Sequence, residues 1–274
     1  MAYFQAVVLG VVQGLTEFLP VSSSAHLILA RALLGWDAAE LGLAFDVACH
    51  VGTLGAVAAY FRADLLELAA AVPDLFRRPV WPAEGAGRRL RLIAVGTVPV
   101  VVVGLLVAGA IEEALRTPWV AVVTLVAVAV LFLVVERTGR ATRGEEAITP
   151  ATALAIGAAQ AAALVPGVSR SGATITTGMF SGVRREAAAR FSFLLGVPAI
   201  VAAAVHEGLP LLRTGMGREQ AWLFVIGMGV SGAVGYVTIK YFLKYLVSHT
   251  LAPFAWYRIA LAAVAAVWLM SGRG

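Results

Sequence analysis

The chain has 274 residues, of which 60% are hydrophobic and 14% are charged, and its formal net charge is +5. A soluble domain carries about 25% charged residues, and a chain of this length cannot bury so much apolar surface in its own core, which excludes a water-soluble protein. The positive charges lie in short loops between apolar runs, a pattern that orients membrane proteins and argues against nucleic acid as a partner.

The first predicted element is an apolar stretch at residues 4–34, which is interrupted by a polar cluster between Thr16 and His26. About 15 apolar residues precede the break and about 10 follow it, whereas a membrane-spanning helix needs about 20. Neither half is long enough to cross the bilayer, so the stretch is predicted to form a re-entrant helical hairpin. Such a chain reversal at membrane depth is tolerated where protein or a water-filled cavity surrounds it.

An acidic residue lies at the break of this hairpin. Gln13 and Glu17 are spaced i and i+4, so they are expected to share one face of a helix. A buried carboxylate is predicted to bind a divalent cation, to act as a base or to orient a histidine, because burying it unpaired would be costly. The alternative interpretation is a structural or capping role for Glu17 at the end of a helix.

Three serines and a histidine follow the break, at Ser22, Ser23, Ser24 and His26. Ser22 precedes His26 by four residues and Ser23 by three, so we expect a serine hydroxyl to face the imidazole, which is the arrangement of an activated nucleophile. At least one of the serines is also expected to N-cap the following helix. The alternative for His26 is a hydrogen-bonded core residue.

Three uninterrupted apolar runs come next, at residues 41–61, 90–110 and 119–135. Each is predicted to be a transmembrane helix. Asp46 and His50 lie in the first of these spans at i and i+4, and we predict a structural hydrogen bond between them rather than a catalytic role.

A second interrupted stretch occupies residues 151–182 and is broken by the polar segment 166–174. It predicts a second re-entrant hairpin. Gly167 and Gly172 allow close backbone approach, and the helix that follows presents free N–H groups, which together make an anion site. Arg170 adds a planar fork suited to phosphate. The alternatives are that Arg170 extends to the membrane surface or pairs only with the acid of the first hairpin.

Three further spans are predicted at residues 188–205, 221–243 and 252–270, and they complete a second half that resembles the first. Gly10-Val-Val-Gln13 recurs as Gly157-Ala-Ala-Gln160, and Pro20 with its serines recurs as Pro166 with its serines. Each half holds one hairpin and three spans, so the second copy must insert with the opposite orientation. Inverted repeats of this kind place a site near the bilayer midplane at the repeat interface.

The predicted fold class is therefore an all-α polytopic membrane protein with an inverted-topology repeat, six transmembrane helices and two re-entrant helical hairpins. Residues 1–274 form one membrane domain, in which the first repeat covers 1–140 and the second covers 148–271. The first hairpin enters from the outside and the second from the cytoplasm, so their tips are expected to meet.

Loop charges give an independent prediction of orientation, because basic residues mark the cytoplasmic side. The loops and span ends on this side carry Arg62, Arg77, Arg78, Arg88, Arg89, Arg137, Arg140, Arg143, Arg184, Arg185, Lys240 and Lys244. The opposite side carries Asp37, Glu40, Glu112 and Glu113, with Arg213 and Arg218 as exceptions, and it also holds both termini.

The polar groups of the two hairpins together suit phosphoryl transfer. A hydroxyl, an imidazole, a carboxylate and a guanidinium supply a nucleophile, a proton carrier and charge neutralisation. A site within the bilayer implies a substrate delivered by lipid. The rival hypothesis is a lipid flippase or transporter, because inverted repeats with facing hairpins are also transporter architecture.

Two long motifs carry a resemblance to a known family. Gly14-Leu-Thr-Glu-Phe-Leu-Pro-Val-Ser-Ser-Ser-Ala-His26 and Pro166-Gly-Val-Ser-Arg-Ser-Gly-Ala-Thr174 resemble the signature motifs of bacterial undecaprenyl-diphosphate phosphatases, also known as UppP or BacA. Phe191-Ser-Phe-Leu-Leu-Gly-Val-Pro198 and Pro253-Phe-Ala-Trp-Tyr-Arg258 are similar to the same family.

The resemblance implies hydrolysis of undecaprenyl diphosphate to undecaprenyl phosphate and inorganic phosphate, which recycles the carrier lipid for peptidoglycan synthesis and confers bacitracin resistance. It implies a multi-pass protein of the bacterial plasma (inner) membrane, with its site open to the extracytoplasmic side and dependent on a divalent cation, Mg²⁺ or Ca²⁺. The expected partners are the lipid substrate and membrane lipids, with a homodimer as one open assembly. A polyprenyl-phosphate flippase is the alternative function.

Family roles carried over by motif make Glu17, Ser23, His26 and Arg170 catalytic. The same motifs place substrate phosphate at Ser22, Ser24, Ser169, Arg170, Ser171, Gly172 and Thr174. Glu17 is the expected metal ligand, and Gln13 is a second candidate at a position where many family members have Glu. Three nucleophiles stay open, namely Ser23 aided by His26, His26 itself and metal-bound water.

Overall fold

The computed structural model describes residues 1–36, 41–77, 81–82, 84–138, 141–214 and 217–273. Within these ranges the chain is helical, and its β-type pairing consists of one isolated bridge between Arg143 and Val183. The predicted all-α class is therefore confirmed. The described residues form twelve α-helices: α1 (Ala2–Thr16), α2 (Ser23–Leu34), α3 (Leu43–Tyr60), α4 (Arg62–Ala70), α5 (Val72–Arg77), α6 (Gly85–Leu115), α7 (Pro118–Thr138), α8 (Pro150–Ala162), α9 (Arg170–Phe180), α10 (Arg185–Thr214), α11 (Arg218–Leu246) and α12 (Ala252–Trp268). A 3₁₀ turn at Glu145–Ala147 precedes α8, and a π-helical turn at Leu269–Arg273 extends α12.

Six of these helices are long and apolar enough to cross a membrane, judged by length and composition alone. They are α3, α6, α7, α10, α11 and α12. Their apolar segments run Leu43–Tyr60, Gly85–Val107, Pro118–Thr138, Arg185–His206, Arg218–Leu246 and Ala252–Gly272, the last of which continues from α12 into the π-helical turn. Each coincides with one of the six predicted spans, which are thereby confirmed as candidate membrane helices.

Each of the two interrupted stretches forms a pair of short helices. α1 and α2 have 15 and 12 residues, and α8 and α9 have 13 and 11 residues. We call residues 17–22 the first tip and residues 163–169 the second tip. A bilayer-spanning helix needs about 20 residues, so none of the four helices is long enough to span by itself.

Both tips end in a serine with the same unusual backbone. Ser22 has a φ of 76° and Ser169 a φ of 72°, and they are the only residues other than glycine with positive φ in the described chain. Each hydroxyl accepts a hydrogen bond from the backbone N–H three residues on, at Ala25 and Gly172 respectively. These contacts confirm the predicted serine N-cap and show that it occurs in both stretches.

Helices from the two halves of the chain pack against each other throughout. α1 lies against α11, α8 against α6, α7 against α12, and α3 against α10 and α11. The contact between α6 and α8 is backbone to backbone, because a Cβ atom at Gly157 would lie 2.1 Å from the carbonyl oxygen of Gly96. The outer surface carries exposed apolar side chains such as Leu105 and Leu106, as expected for contact with lipid.

The loop predicted after the first span contains two short helices, α4 and α5, which the sequence analysis did not anticipate. The segment Arg62-Ala-Asp-Leu-Leu-Glu-Leu-Ala-Ala70 is rich in strong helix formers, which explains its structure. Asp64 on α4 accepts a hydrogen bond from Arg89 at 2.8 Å and forms a second ion pair with Arg190. The loop is therefore attached to α6 and α10.

Several charges used to predict orientation fall outside the described residues, namely Asp37, Glu40, Arg78 and Arg140. The side chains of Arg77, Glu112 and Arg213 also lie outside the description.

Candidate active site

The carboxylate of Glu17 is the centre of the site and connects the two interrupted stretches. Glu17 is 5% exposed and lies at the end of α1. Its Oε1 accepts a hydrogen bond from Arg170 Nη2 at 2.8 Å. Its Oε2 accepts from the Ser23 hydroxyl at 2.8 Å and from Gln13 Nε2 at 3.0 Å. The acid of the first stretch and the guanidinium of the second therefore lie in one pocket, as the sequence predicted.

The imidazole of His50 also belongs to this pocket. Its Nδ1 lies 3.0 Å from Gln13 Nε2 and 3.3 Å from Glu17 Oε2. The spacing from Asp46 predicted only a structural role for His50, although an ionisable group in the middle of an apolar span is a signal of function.

The predicted hydrogen bond between Asp46 and His50 is wrong. The Asp46 carboxylate accepts from Arg31 Nη2 and from Arg116 Nη2, each at 2.5 Å. Two guanidinium groups are stronger partners for a buried carboxylate than an imidazole on the same helix. Helical spacing placed Asp46 beside His50 but did not reveal these partners.

The predicted contact between a serine hydroxyl and His26 is also wrong. Nδ1 of His26 lies 2.7 Å from the backbone carbonyl oxygen of Ser22, and Nε2 lies 2.8 Å from the hydroxyl of Tyr257. The two rings are stacked at 5.7 Å between centroids. The Ser23 hydroxyl turns instead to Glu17, because the first turn of α2 faces the end of α1. Tyr257 was not singled out from the sequence, although it lies in one of the segments that carry the family resemblance.

Arg170 begins α9, and α10 forms the wall beside it. Its Nη1 donates to the carbonyl oxygen of Ser192 at 3.4 Å. A Cβ atom at Gly196 would lie 1.8 Å from Arg170 Nη1, so the absence of a side chain there provides the space that the guanidinium occupies. The hydroxyl of Thr174 lies 2.5 Å from that of Ser192 and donates to the carbonyl oxygen of Arg170. Ser192 and Gly196 were missed as site residues because only the fold brings α10 to this position.

Other serines predicted to bind phosphate hold the two tips together. The Ser24 hydroxyl accepts from the backbone N–H of Gly167 at 3.2 Å, and the Ser171 hydroxyl donates to the carbonyl oxygen of Leu19 at 3.1 Å. The Ser169 hydroxyl lies 3.3 Å from that of Ser171. Both α2 and α9 begin at this junction, and the first N–H groups of a helix are donors for anions.

The residues present could hold a divalent cation that is coordinated both by protein oxygens and by a phosphate group. Gln13 Oε1 is buried and has no hydrogen-bond partner, and it belongs to the side chain next to Glu17. Mg²⁺ commonly binds one or two protein oxygens and completes its shell with water and substrate phosphates. In the described part of the chain no group of three His, Cys, Asp or Glu residues could hold a metal, so a cation at Glu17 and Gln13 would take its remaining ligands from phosphate and water.

Comparisons with known proteins identify one family along nearly the whole chain. Residues 6–264 match the family described as bacitracin resistance protein BacA. The undecaprenyl-diphosphatase of Rubrobacter xylanophilus is 50% identical over 266 residues, which cover 97% of this chain and 98% of the relative. That of Geotalea daltonii is 44% identical over 275 residues, covering 99% of this chain and 100% of the relative. That of Thioalkalivibrio sulfidiphilus is 44% identical over 270 residues, covering 96% and 97%.

Proposed function

Because the chain belongs to the family of bacitracin resistance protein BacA, we propose that it is an undecaprenyl-diphosphatase, which converts undecaprenyl diphosphate into undecaprenyl phosphate and inorganic phosphate. Relatives of that name match nearly the full length of the chain. The structural observation that supports this activity is the buried contact between Glu17 and Arg170 at the junction of the tips. The reaction supplies carrier lipid for peptidoglycan synthesis and removes the diphosphate that bacitracin recognises.

Substrate binding begins with Arg170. Its Nη2 forms an ion pair with the Glu17 carboxylate. A terminal phosphate carries more charge than a carboxylate and binds a guanidinium with two parallel hydrogen bonds, so it takes over this group from Glu17. The backbone N–H groups at the starts of α2 and α9 bind the remaining oxygens, together with the hydroxyls of Ser22, Ser24 and Ser169. The hydroxyls of Ser171 and Thr174 join them by rotating away from the carbonyl oxygens of Leu19 and Arg170, to which they donate here.

Ser23 is the group best placed to attack the terminal phosphorus. Its hydroxyl already donates to Glu17 Oε2 at 2.8 Å, so Glu17 accepts the Ser23 proton once Arg170 has moved to the phosphate. The Ser23 Oγ–P bond forms as the bond from phosphorus to the bridging oxygen breaks, and undecaprenyl phosphate leaves. Water then hydrolyses the phosphoseryl bond.

The role of His26 follows from its partners. The Ser22 carbonyl only accepts hydrogen bonds, so Nδ1 of the neutral ring carries the proton and Nε2 accepts from the Tyr257 hydroxyl. His26 and Tyr257 form a proton-carrying pair beside Ser23. Attack by His26 itself and direct attack by water are the alternatives to the seryl route.

A divalent cation, Mg²⁺ or Ca²⁺, would be held by Glu17 with Gln13 Oε1 as a second ligand. When bound, it neutralises part of the diphosphate charge.

The same proposal includes re-entrant hairpins and an inverted repeat. Two observations support them. The first is that equivalent helices make equivalent contacts with the opposite half of the chain: α1 packs on α11, and α8 packs on α6. The second is that both tips end in a serine with positive φ. In this arrangement residues 1–140 and 148–271 are the two repeats of one domain.

The proposed location is the inner membrane, with the site open to the extracytoplasmic side and the basic loops in the cytoplasm. Homodimer formation stays a prediction.

The decisive experiment is phosphate release from undecaprenyl diphosphate by the purified full-length chain in detergent. Detergent removes any gradient, so release there indicates catalysis, whereas lipid translocation in vesicles without release would favour a flippase. Glu17→Gln is the matched inactive variant, and activity equal to that of the native chain would contradict the role of Glu17. Chelator should abolish release and added Mg²⁺ or Ca²⁺ should restore it.

A further inference from the structure

Arg258 is a buried arginine that the proposed reaction does not use. It lies in the second turn of α12, has no exposed surface, and is the largest fully buried side chain among the described residues. An arginine in an apolar span is expensive to bury, and such residues are usually functional.

The guanidinium of Arg258 contacts both tips at once. Its Nη1 donates to the carbonyl oxygen of Pro20 in the first tip at 3.2 Å. Its Nη2 donates to the carbonyl oxygen of Gly167 in the second tip at 2.8 Å. One rigid planar group therefore connects two segments that are far apart in the sequence. The first tip contains Glu17 and the second is followed directly by Arg170, the two residues at the centre of the site.

The same side chain anchors this connection to a transmembrane helix. Nε of Arg258 donates to the carbonyl oxygen of Leu125 at 3.1 Å, and Nη2 lies 3.2 Å from that of Thr124, both on α7. The Thr124 hydroxyl donates in turn to the carbonyl oxygen of Pro166 at 2.7 Å. α7 and α12 pack on each other, so the anchor is one of the repeat-to-repeat contacts of the fold.

All five acceptors of Arg258 in the described chain are backbone carbonyl oxygens, and its guanidinium carbon lies 5.4 Å from the centre of the Phe132 ring. No described carboxylate forms an ion pair with it. Carbonyls and an aromatic face stabilise the cation without cancelling its charge. The charge next to the tips therefore adds to the attraction of the pocket for an anion.

We propose that Arg258 is a positioning residue that holds the two tips in register, so that Ser23, Glu17 and Arg170 meet the phosphate in the reactive geometry. The proposal rests on the proposed phosphatase activity, because it concerns the same site. A lysine keeps the charge but cannot reach Pro20, Gly167 and α7 together, since it lacks the planar fork. Misplacement of reacting groups by about 1 Å costs about 100-fold in rate.

The test compares Arg258→Lys with Arg88→Lys in the purified full-length chain. Arg88 is a matched control, because its Nη2 also donates to backbone carbonyls, those of Glu146 and Ile148, and it takes no part in the site. Two readouts are measured on each variant, namely steady-state phosphate release and hydrogen–deuterium exchange of the backbone amides in residues 17–24 and 163–171.

We expect Arg258→Lys to lower kcat about 10-fold to 100-fold with KM changed less than about 3-fold, and to accelerate amide exchange in both tips. Its thermal midpoint should stay close to that of Arg88→Lys, which should keep native kcat and native exchange. Native kcat in Arg258→Lys, or unchanged exchange in either tip, would overturn the proposal.

A milder variant applies if Arg258→Lys does not fold. Thr124→Val removes the hydroxyl that donates to Pro166, and it should accelerate amide exchange in the second tip with a smaller loss of kcat. Native exchange and native kcat in this variant would overturn the proposed attachment of the second tip to α7. Exchange does not depend on turnover. If the native chain releases no phosphate, the proposed function fails while the exchange measurement still decides whether Arg258 holds the tips.

Discussion

Glu17 has more polar partners than any other residue of the site, and their geometry shows why the pocket tolerates a buried carboxylate. Arg170 neutralises one oxygen, while Ser23 and Gln13 donate to the other. A buried charge loses its hydration, so removing its cationic partner is far more costly than weakening one hydrogen bond. Substitutions of Arg170 that keep its positive charge should therefore leave the fold intact and lower the rate of phosphate release.

Arg170→Lys tests whether the planar guanidinium of Arg170 binds the substrate phosphate. Lysine preserves the charge beside Glu17 but not the two parallel hydrogen bonds to phosphate, so kcat should fall about 100-fold to 1,000-fold with folding retained. Phosphate release and the thermal midpoint are measured together. Native activity in this variant would remove Arg170 from phosphate binding.

Ser23→Ala separates the possible nucleophiles. If Ser23 attacks phosphorus, the variant should show no phosphate release above background, because the remaining groups cannot form the seryl intermediate. Ser181→Ala is the control, since Ser181 lies beyond the far end of α9 and its hydroxyl donates only to the local carbonyl of Thr177. Unchanged turnover in Ser23→Ala would exclude the seryl route and favour water or His26.

Contacts between helices of different halves determine where the tips lie. α8 approaches α6 closely because glycines face each other there, and α8 leads directly into the second tip. The position of the second tip, and with it that of Arg170, therefore depends on how closely these two helix backbones fit together.

Gly157→Ala tests this contact. The added Cβ atom would lie 2.1 Å from the carbonyl oxygen of Gly96, so the helices must separate, at a cost of about 1–3 kcal/mol. The thermal midpoint should fall and phosphate release should fall with it. Gly104→Ala on α6 is the control, because a Cβ atom there meets no other atom within 4 Å; an equal midpoint for the two variants would refute the close contact.

The orientation of the whole molecule in the membrane is predicted from its charges. Most basic loop residues lie at one end of the six candidate spans, and these ends are expected in the cytoplasm. The ion pairs of Asp64 with Arg89 and Arg190 lie on this side and join α4 to α6 and α10.

Cysteine labelling in spheroplasts tests the orientation. The chain has one cysteine, the buried Cys49, which Cys49→Ser removes to give a clean background. A membrane-impermeant maleimide should label Ala114→Cys, near the end of α6, in intact spheroplasts, and should label Leu66→Cys on α4 only after lysis. Both positions are exposed. Labelling of Leu66→Cys before lysis would reverse the proposed topology.

Features that depend on local composition could be predicted from the sequence. Six apolar runs of spanning length became six candidate membrane helices, and two polar interruptions became two breaks with serine caps, because hydrophobic length and capping act over a few neighbouring residues. The type of chemistry was also readable, since Glu17 and Arg170 stand out in an apolar chain.

The contacts between polar side chains could not be predicted from the sequence, because they depend on the packing of the helices. Helical spacing suggested Asp46 for His50 and a serine hydroxyl for His26, but the structure pairs Asp46 with arginines, His50 with the Glu17 pocket and His26 with Tyr257. Spacing along one helix limits which side chains are neighbours, whereas partners from other helices depend on how whole helices pack. Burying an unpaired polar group in a membrane interior is costly, so the partners of these groups are set by the helices that pack around them.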